Sequence, residues 1–262
     1  MMRAMATPSG DGPRAGEMVA GRYRIERPLG EGGMAQVFQA TDLAGGAAVA
    51  LKILRREVAE SPEAVRRLRQ EGEVLSQLQH PAIVSVHTYG QLESGQLFLA
   101  MELLEGETLR ERLRRETRLD PEPLAPVVAG IVAGLEAAHG AGVVHRDLKP
   151  DNVFLARLPG QTGFQVKILD FGISKVAGGD RLTRTGQVLG TPRYMAPEQL
   201  AAERDLDARV DVYALGVMIY EALTGRSPFL TASPSDLIVA IVHGKSTPLR
   251  AARPELSAEL EA

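Results

Sequence analysis

The chain contains no cysteine among its 262 residues, which excludes a disulfide framework and any thiolate metal site but does not choose a compartment. Basic tracts are missing too: 30 Lys and Arg against 33 Asp and Glu give a formal net charge of -3, which offers no footprint for nucleic acid or an anionic membrane. No apolar run is clean enough to span a bilayer. The best of them, Val127 to Val144, is broken by Glu136, His139 and four glycines. Residues Met1 to Glu17 mix Gly, Pro, Ser and Arg without an apolar core, so they are not expected to act as a secretion signal. Residues 1–20 are expected to form a flexible tail. There is no repeat of fixed period, and the five histidines form no helix-spaced pair for a metal.

What remains is 44% apolar and 24% charged residues, enough for a two-lobed globular unit with a sizeable core. From 21 to 104 the pattern predicts short strands with one helix. The strands are Tyr23–Leu29, Ala35–Asp42, Ala47–Arg55, Val84–Gln91 and Leu97–Met101, the first three forming a meander. Ser61-Pro62 reads as the start of the helix, with Val65, Leu68, Leu75 and Leu78 near one face and His80-Pro81 as its stop. From 105 to 262 the chain turns mainly helical. Thr108 and Glu111 stand at capping-box spacing, and Leu124, Val127, Val128, Ile131, Val132 and Leu135 recur at threes and fours. Val212 to Leu223 is apolar nearly all round, as a central scaffold helix ended by Gly225 should be. A hairpin is expected from Val153–Ala156 and Gln165–Leu169. The fold class is thus α+β: a small antiparallel sheet lobe with one main helix, then a larger helical lobe.

Leu29-Gly30-Glu31-Gly32-Gly33-Met34-Ala35-Gln36-Val37 is a glycine-rich turn between strands, where bare backbone N–H groups can approach phosphates. Alone it is equally a plain hairpin turn; a dinucleotide fold is excluded because Ala35 onward continues as strand. Lys52 interrupts the apolar strand Val49-Ala50-Leu51-Lys52. It is either a snorkelling edge residue or, if buried, a cation needing an anionic partner, for which Glu71 is placed.

The strongest signal is His145-Arg146-Asp147-Leu148-Lys149-Pro150-Asp151-Asn152, followed after the hairpin by Asp170-Phe171-Gly172. It supplies a carboxylate to deprotonate a hydroxyl, a cation for a moving phosphoryl group, and an amide and a carboxylate able to share magnesium. A polar segment then runs from Asp170 to Gly190-Thr191-Pro192-Arg193-Tyr194-Met195-Ala196-Pro197-Glu198. In it Thr183 and Thr185 are either ordinary loop threonines or phosphorylation sites that Arg146 and Lys175 could bind. Gly244-Lys245-Ser246-Thr247 imitates the end of a P-loop, but Val239 stands where that motif needs glycine and Leu237 to His243 reads as helix.

In this order the motifs resemble those of Hanks-type serine/threonine protein kinases, from about Tyr23 to the C-terminus. Gly32-Gly33-Met34-Ala35 and Thr183-Arg184-Thr185 make the resemblance closest to the bacterial branch. The resemblance implies ATP with Mg2+, or Mn2+ in its place. Leu29, Gly30, Glu31, Gly32, Gly33, Met34 and Ala35 would cover the phosphates, which Lys52, held by Glu71, would grip. Met101 would be the gatekeeper, Glu102 to Leu104 the hinge at adenine, and Val37, Ala50 and Phe154 the sandwich around the ring. Asp147 would be the base, Lys149 would touch the γ-phosphate, and Asn152 and Asp170 would hold the metal. Lys149 and Thr191 would favour serine or threonine acceptors. Leu75, Val86, His145 and Phe171 match the family's stacked spine, anchored by Asp211, which could also be a helix N-cap. Two departures stand out. Ala35 replaces the third glycine, and the chain stops at Ala262, before the last helices of the family's large lobe and the arginine that pairs with Glu198; Arg250 and Arg253 come too early to replace it. A pseudokinase or ATP-binding scaffold is the alternative that this ending suggests. The expected partners are protein substrates and a second kinase copy for autophosphorylation, with no nucleic acid and no membrane segment. The expected location is cytoplasmic, or the cytoplasmic part of a membrane-anchored receptor kinase if the gene is longer.

Overall fold

A computed structural model describes residues 12–33, 35–56, 73, 78–158, 160, 162–171, 192–203 and 205–261. The chain divides into two compact units, the first holding residues up to 77 and Ser85–Leu104, the second holding Leu78–Val84 and everything from Glu105.

The first unit is built on a six-stranded antiparallel sheet: β1 (Met18–Val19), β2 (Tyr23–Glu31), β3 (Ala35–Asp42), β4 (Ala48–Leu54), β5 (Val86–Gln91) and β6 (Leu97–Glu102), in the order β1-β2-β3-β4-β6-β5. The expected meander is β2-β3-β4. Pro28, which has no N–H to give a ladder, sits in β2 where the register with β3 slips on either side of it. Strand alternation sends Val49, Leu51 and Ile53 of β4 into a core with Tyr23, Ile25, Phe38 and Phe98. The sheet also reaches further back than the composition of the N-terminus suggests. Met18 and Val19 pair with Arg24 and Tyr23, and Gly16 N donates to Ile25 O at 2.8 Å. Pairing free backbone groups at the edge of β2 is what orders this part of the expected tail. The helix expected from Ser61 to Leu78 lies outside the described residues for nearly all its length, and so do Val65, Leu68 and Leu75.

In the second unit Leu78–Val84 joins the hairpin strand: Ile168 N donates to Ala82 O at 2.8 Å, and Val84 N to Ile168 O at 3.0 Å. A three-stranded sheet combines β7 (Gly106–Thr108), β8 (Val153–Arg157) and β9 (Phe164–Ile168). Helix α1 (Leu109–Glu116) starts at the anticipated capping box, Glu111 N to Thr108 Oγ1 at 3.1 Å and Thr108 N to Glu111 Oε2 at 2.8 Å. Helix α2 (Pro121–Gly140) is, among the described residues, the one helix long and apolar enough to cross a bilayer. Here it is a core helix, packed on β9 with Leu124, Val127, Ile131, Leu135 and Ala138 buried. Gly130 and Gly134, one turn apart, permit this close packing: a Cβ on either would stand 2.7 Å from Val166 or Ile168.

The remaining helices among the described residues are α3 (Pro197–Leu200), α4 (Arg209–Thr224), α5 (Pro234–Val242) and α6 (Leu249–Ala252). As the apolar pattern requires, α4 is the buried scaffold, and it ends at Gly225 in the left-handed region, φ 75°. Its N-cap is Ala208, so the reading of Asp211 as a cap is corrected: Asp211 lies inside the first turn, where its side chain serves another segment. Arg253, just past α6, is buried. It donates to Leu119 O (2.8 Å) and Leu223 O (2.9 Å), to Glu255 (2.9 Å) and to Asp120, tying the ends of α2 and α4 together. The P-loop imitation at Gly244 follows α5 rather than a strand, consistent with the dismissal of a nucleotide role there.

Candidate active site

In the first unit, register decides which side chains share a face. Directly opposed residues of an antiparallel ladder point the same way. Lys52 is opposite Val37 on β3 and Leu99 on β6, and Ala50 is opposite Met101. Val37, Ala50, Lys52, Leu99 and Met101 therefore line one face of the sheet, the side away from the Tyr23–Phe98 core. Lys52 is 7% exposed, so the snorkelling reading of this lysine gives way to a buried cation. Its expected partner Glu71 lies outside the described residues, as does Met34 in the glycine-rich turn. Leu29, Gly30 and Glu31 are the last residues of β2, Gly32 N donates to Ala35 O at 2.9 Å, and Ala35 opens β3. Of the residues expected at the hinge, Glu102 is the last of β6. Its N donates to Ser85 O (3.0 Å) and its carboxylate accepts from Ser85 N (2.8 Å), so the side chain is turned toward Ser85. Leu103 and Leu104 follow it out of the strand, half-buried.

The second unit holds the rest of the predicted set. Lys149 Nζ lies 2.6 Å from Asp147 Oδ2. Asn152 Nδ2 donates to Asp147 O at 2.8 Å and to Asp147 Oδ2 at 3.3 Å, so one short loop gathers carboxylate, ammonium and amide. The single turn of 3-10 helix at Pro150–Asn152 folds the loop back on itself. Asn152 O then accepts from Leu169 N at 2.8 Å, which brings the segment ending in Asp170 alongside. Asn152 is buried, and its amide nitrogen is occupied by Asp147. An amide oxygen and a carboxylate, the groups that Asn152 and Asp170 carry, are of the hard-donor type that Mg2+ takes. Phe154, on β8, is half-buried. Thr191 lies outside the described residues.

The loop is held from below. Asp211, fully buried, accepts from His145 N (Oδ2, 2.8 Å), Arg146 N (Oδ1, 2.8 Å) and His139 Nε2 (Oδ2, 2.8 Å). His145 is packed structure, as its sequence context suggests. Its ring tilts against Phe171 with centroids 4.7 Å apart, and Nδ1 accepts from Asp147 N at 3.2 Å. The hydrogen must then sit on Nε2, which donates to Leu169 O at 2.8 Å. Arg146 and Asp170 both adopt left-handed backbone, φ 66° and 60°, unusual outside glycine. Arg146 is kept there at both ends: its N is bound to Asp211 and its O accepts from Gln199 Nε2 at 2.8 Å. Of the other residues expected in the spine, Val86 opens β5 of the first unit, and Leu75 lies outside the described residues.

One cluster was not legible in the sequence. Arg110 donates to Glu221 Oε1 (3.0 Å), to Asp151 Oδ2 (3.2 Å) and to Tyr194 OH, while Tyr194 OH donates to Glu221 Oε2. Burial pushes the Tyr194 hydroxyl up and Glu221 adds to it, which keeps it a donor. Burial alone would lower Arg110, but Tyr194 and Glu221 outweigh it and raise it. Arg110 and Glu221 stand 111 positions apart, and no local spacing could have joined them. Neither Arg250 nor Arg253 pairs with Glu198: Arg253 is taken up by Asp120, Glu255 and two carbonyls.

A curled antiparallel sheet unit, a helical unit and a loop combining Asp147, Lys149 and Asn152 define the class of protein kinases. The protein kinase domain family matches residues 23–259, and the chain belongs to that family, in its bacterial Hanks-type serine/threonine branch. It is 43% identical over 229 residues to the serine/threonine-protein kinase pkn3 of Myxococcus xanthus, covering 86% of this chain and 41% of that protein. To PknA of Mycobacterium tuberculosis it is 42% identical over 240 residues, covering 90% and 54%. The chain thus spans about half the length of these relatives. The kinase domain of Mycobacterium tuberculosis PknI superposes with a TM-score of 0.75 at 29% identity, covering 95% of this chain and 88% of that one.

Proposed function

We propose that the chain is the catalytic part of a serine/threonine protein kinase that moves the γ-phosphoryl group of ATP to hydroxyls on proteins. The observation that carries this reading is the Asp147–Lys149–Asn152 arrangement, with Nζ and carboxylate 2.6 Å apart. Asp147 is the base that accepts the hydroxyl proton, and Lys149 neutralises charge on the moving phosphoryl group. Lys52 grips the other phosphates, with Glu71 as its partner. Leu29 to Ala35 cover the phosphates; Val37, Ala50 and Phe154 sandwich adenine; Met101 is the gatekeeper. Glu102 and Leu104 meet adenine through the main chain, since the Glu102 carboxylate is engaged by Ser85. Asn152 and Asp170 hold Mg2+, or Mn2+ in its place, which supplies charge neutralisation on the phosphates when bound. Catalysis is then positioning and electrostatics, with little covalent work for the protein.

The acceptors are serine and threonine, for which Lys149 and Thr191 are the supporting residues, and the substrates are proteins. Regulation is by autophosphorylation at Thr183 and Thr185 within a transient pair of kinase copies. Arg146 supports this: its Nε is buried and, among the described residues, has no hydrogen-bond partner, so it is a donor suited to a phosphate. Dependence on ATP places the domain on the cytoplasmic side. Incubating the chain with radiolabelled ATP and a generic basic protein tests the reading. Wild type should label protein, and Asp147→Asn should be slower by about 10²–10⁴. An Asp147→Asn protein as active as wild type would overturn it.

A further inference from the structure

We propose that Arg55 and Glu31 form a positioning pair that ties the tip of the glycine-rich hairpin to the end of β4 and so sets the affinity for the nucleotide. This rests on the kinase reading. The hairpin tip has little to hold it. The β2–β3 ladder ends with Glu31 opposite Gln36, beyond which the described residues give one main-chain bond, Gly32 N to Ala35 O. Gly30 and Gly33 have open space where side chains would be, and a glycine backbone loses the most conformational freedom when it is ordered. Arg55, the first residue after β4, reaches across β3 to the far strand. Its guanidinium pairs with the Glu31 carboxylate, and its Nε donates to Gly32 O at 3.3 Å. Gln36 Nε2 approaches the same carboxylate at 3.4 Å.

The consequence lies in where Arg55 starts. Lys52 stands three residues earlier on the same rigid strand, opposite Val37. Pinning Gly32 to Arg55 therefore fixes the spacing between the loop amides and the lysine ammonium, the two donors that must grip one polyphosphate together. Without the pin, each nucleotide that binds must order the glycine tip itself, at the expense of affinity. Both partners are about one-third exposed (32% and 33%), so the effect is modest.

The test is a double-mutant cycle on the full chain, measuring KM and Kd for ATP together with kcat and the thermal midpoint. Arg55→Gln should raise KM and Kd about two- to five-fold, with most of the loss in KM rather than kcat. Glu31→Gln should do the same in wild type but have no further effect in the Arg55→Gln background, and the swap Glu31→Arg with Arg55→Glu should recover part of the loss. Glu31→Gln lowering KM equally in both backgrounds would mean that its charge only repels phosphate, and would overturn the proposal. So would an Arg55→Gln protein with unchanged affinity, or a loss confined to Arg55→Gln, which would make Arg55 a direct phosphate ligand. Asp147→Asn runs alongside. If it keeps wild-type activity, the kinase reading itself has failed; if it is inactive while the cycle is additive, only the pair has.

Discussion

Replacing Asp211 by asparagine changes one atom's chemistry in a site with no room for compromise. The carboxylate is fully buried and accepts three hydrogen bonds, each of 2.8 Å. An asparagine oxygen can replace Oδ2 and keep His145 N and His139 Nε2. Its NH2 must then face the Arg146 N–H, donor against donor. A buried donor stripped of a charged acceptor costs about 2–4 kcal/mol. Arg146 makes the loss worse, because its φ of 66° is a conformation that a non-glycine residue keeps only when its neighbours hold it there. At about 2–4 °C per kcal/mol for a unit of this size, the helical unit should melt about 4–16 °C lower. Its transition is best followed by calorimetry, since two units need not unfold as one. Phosphotransfer should fall further than stability does, because Asp147 follows directly on the released segment. An Asp211→Asn protein melting within about 1 °C of wild type would refute the claim that this carboxylate holds the loop.

Two further predictions come from the second unit. Arg115 and Arg112 hold the Glu107 carboxyl down at about 2, against an ordinary value near 4.5. A group depressed on folding stabilises above its unfolded value and loses that contribution as pH falls toward its folded one. Glu107→Gln should thus be about 1–2 kcal/mol less stable than wild type at pH 7, discounted because Arg115 is more than half exposed, and the gap should close between about pH 4.5 and 2; urea titrations at several pH values would show it. Gly134→Val should cost about 1–3 kcal/mol or prevent folding, since its first carbon would stand 2.7 Å from Ile168, whereas Gly140→Ala, with open space around it, should be neutral or better by melting temperature.

Much of the fold could be read in advance, because it depends on local patterns. Alternation marked β2, β3 and β4, and the Thr108–Glu111 box and the Val212–Leu223 run gave helices α1 and α4. The eight contiguous residues His145 to Asn152 hold Asp147, Lys149 and Asn152, so their chemistry was visible as a word. The chain also announced its own turn residues, such as Gly225, where only a left-handed backbone will serve.

Tertiary structure alone decided the partners of the buried charges. No spacing rule connects Arg110 to Glu221, Arg253 to Leu119 and Leu223, or Arg55 to Glu31, and between the two readings of Asp211, anchor or cap, only the fold chose, by putting two main-chain N–H groups on its carboxylate. The difference is physical. Hydrogen-bond ladders and periodic burial depend on neighbours a few residues away, so a sequence specifies them directly. The cost of burying a charge depends on what arrives from elsewhere in the chain, and that is known only once the chain has folded.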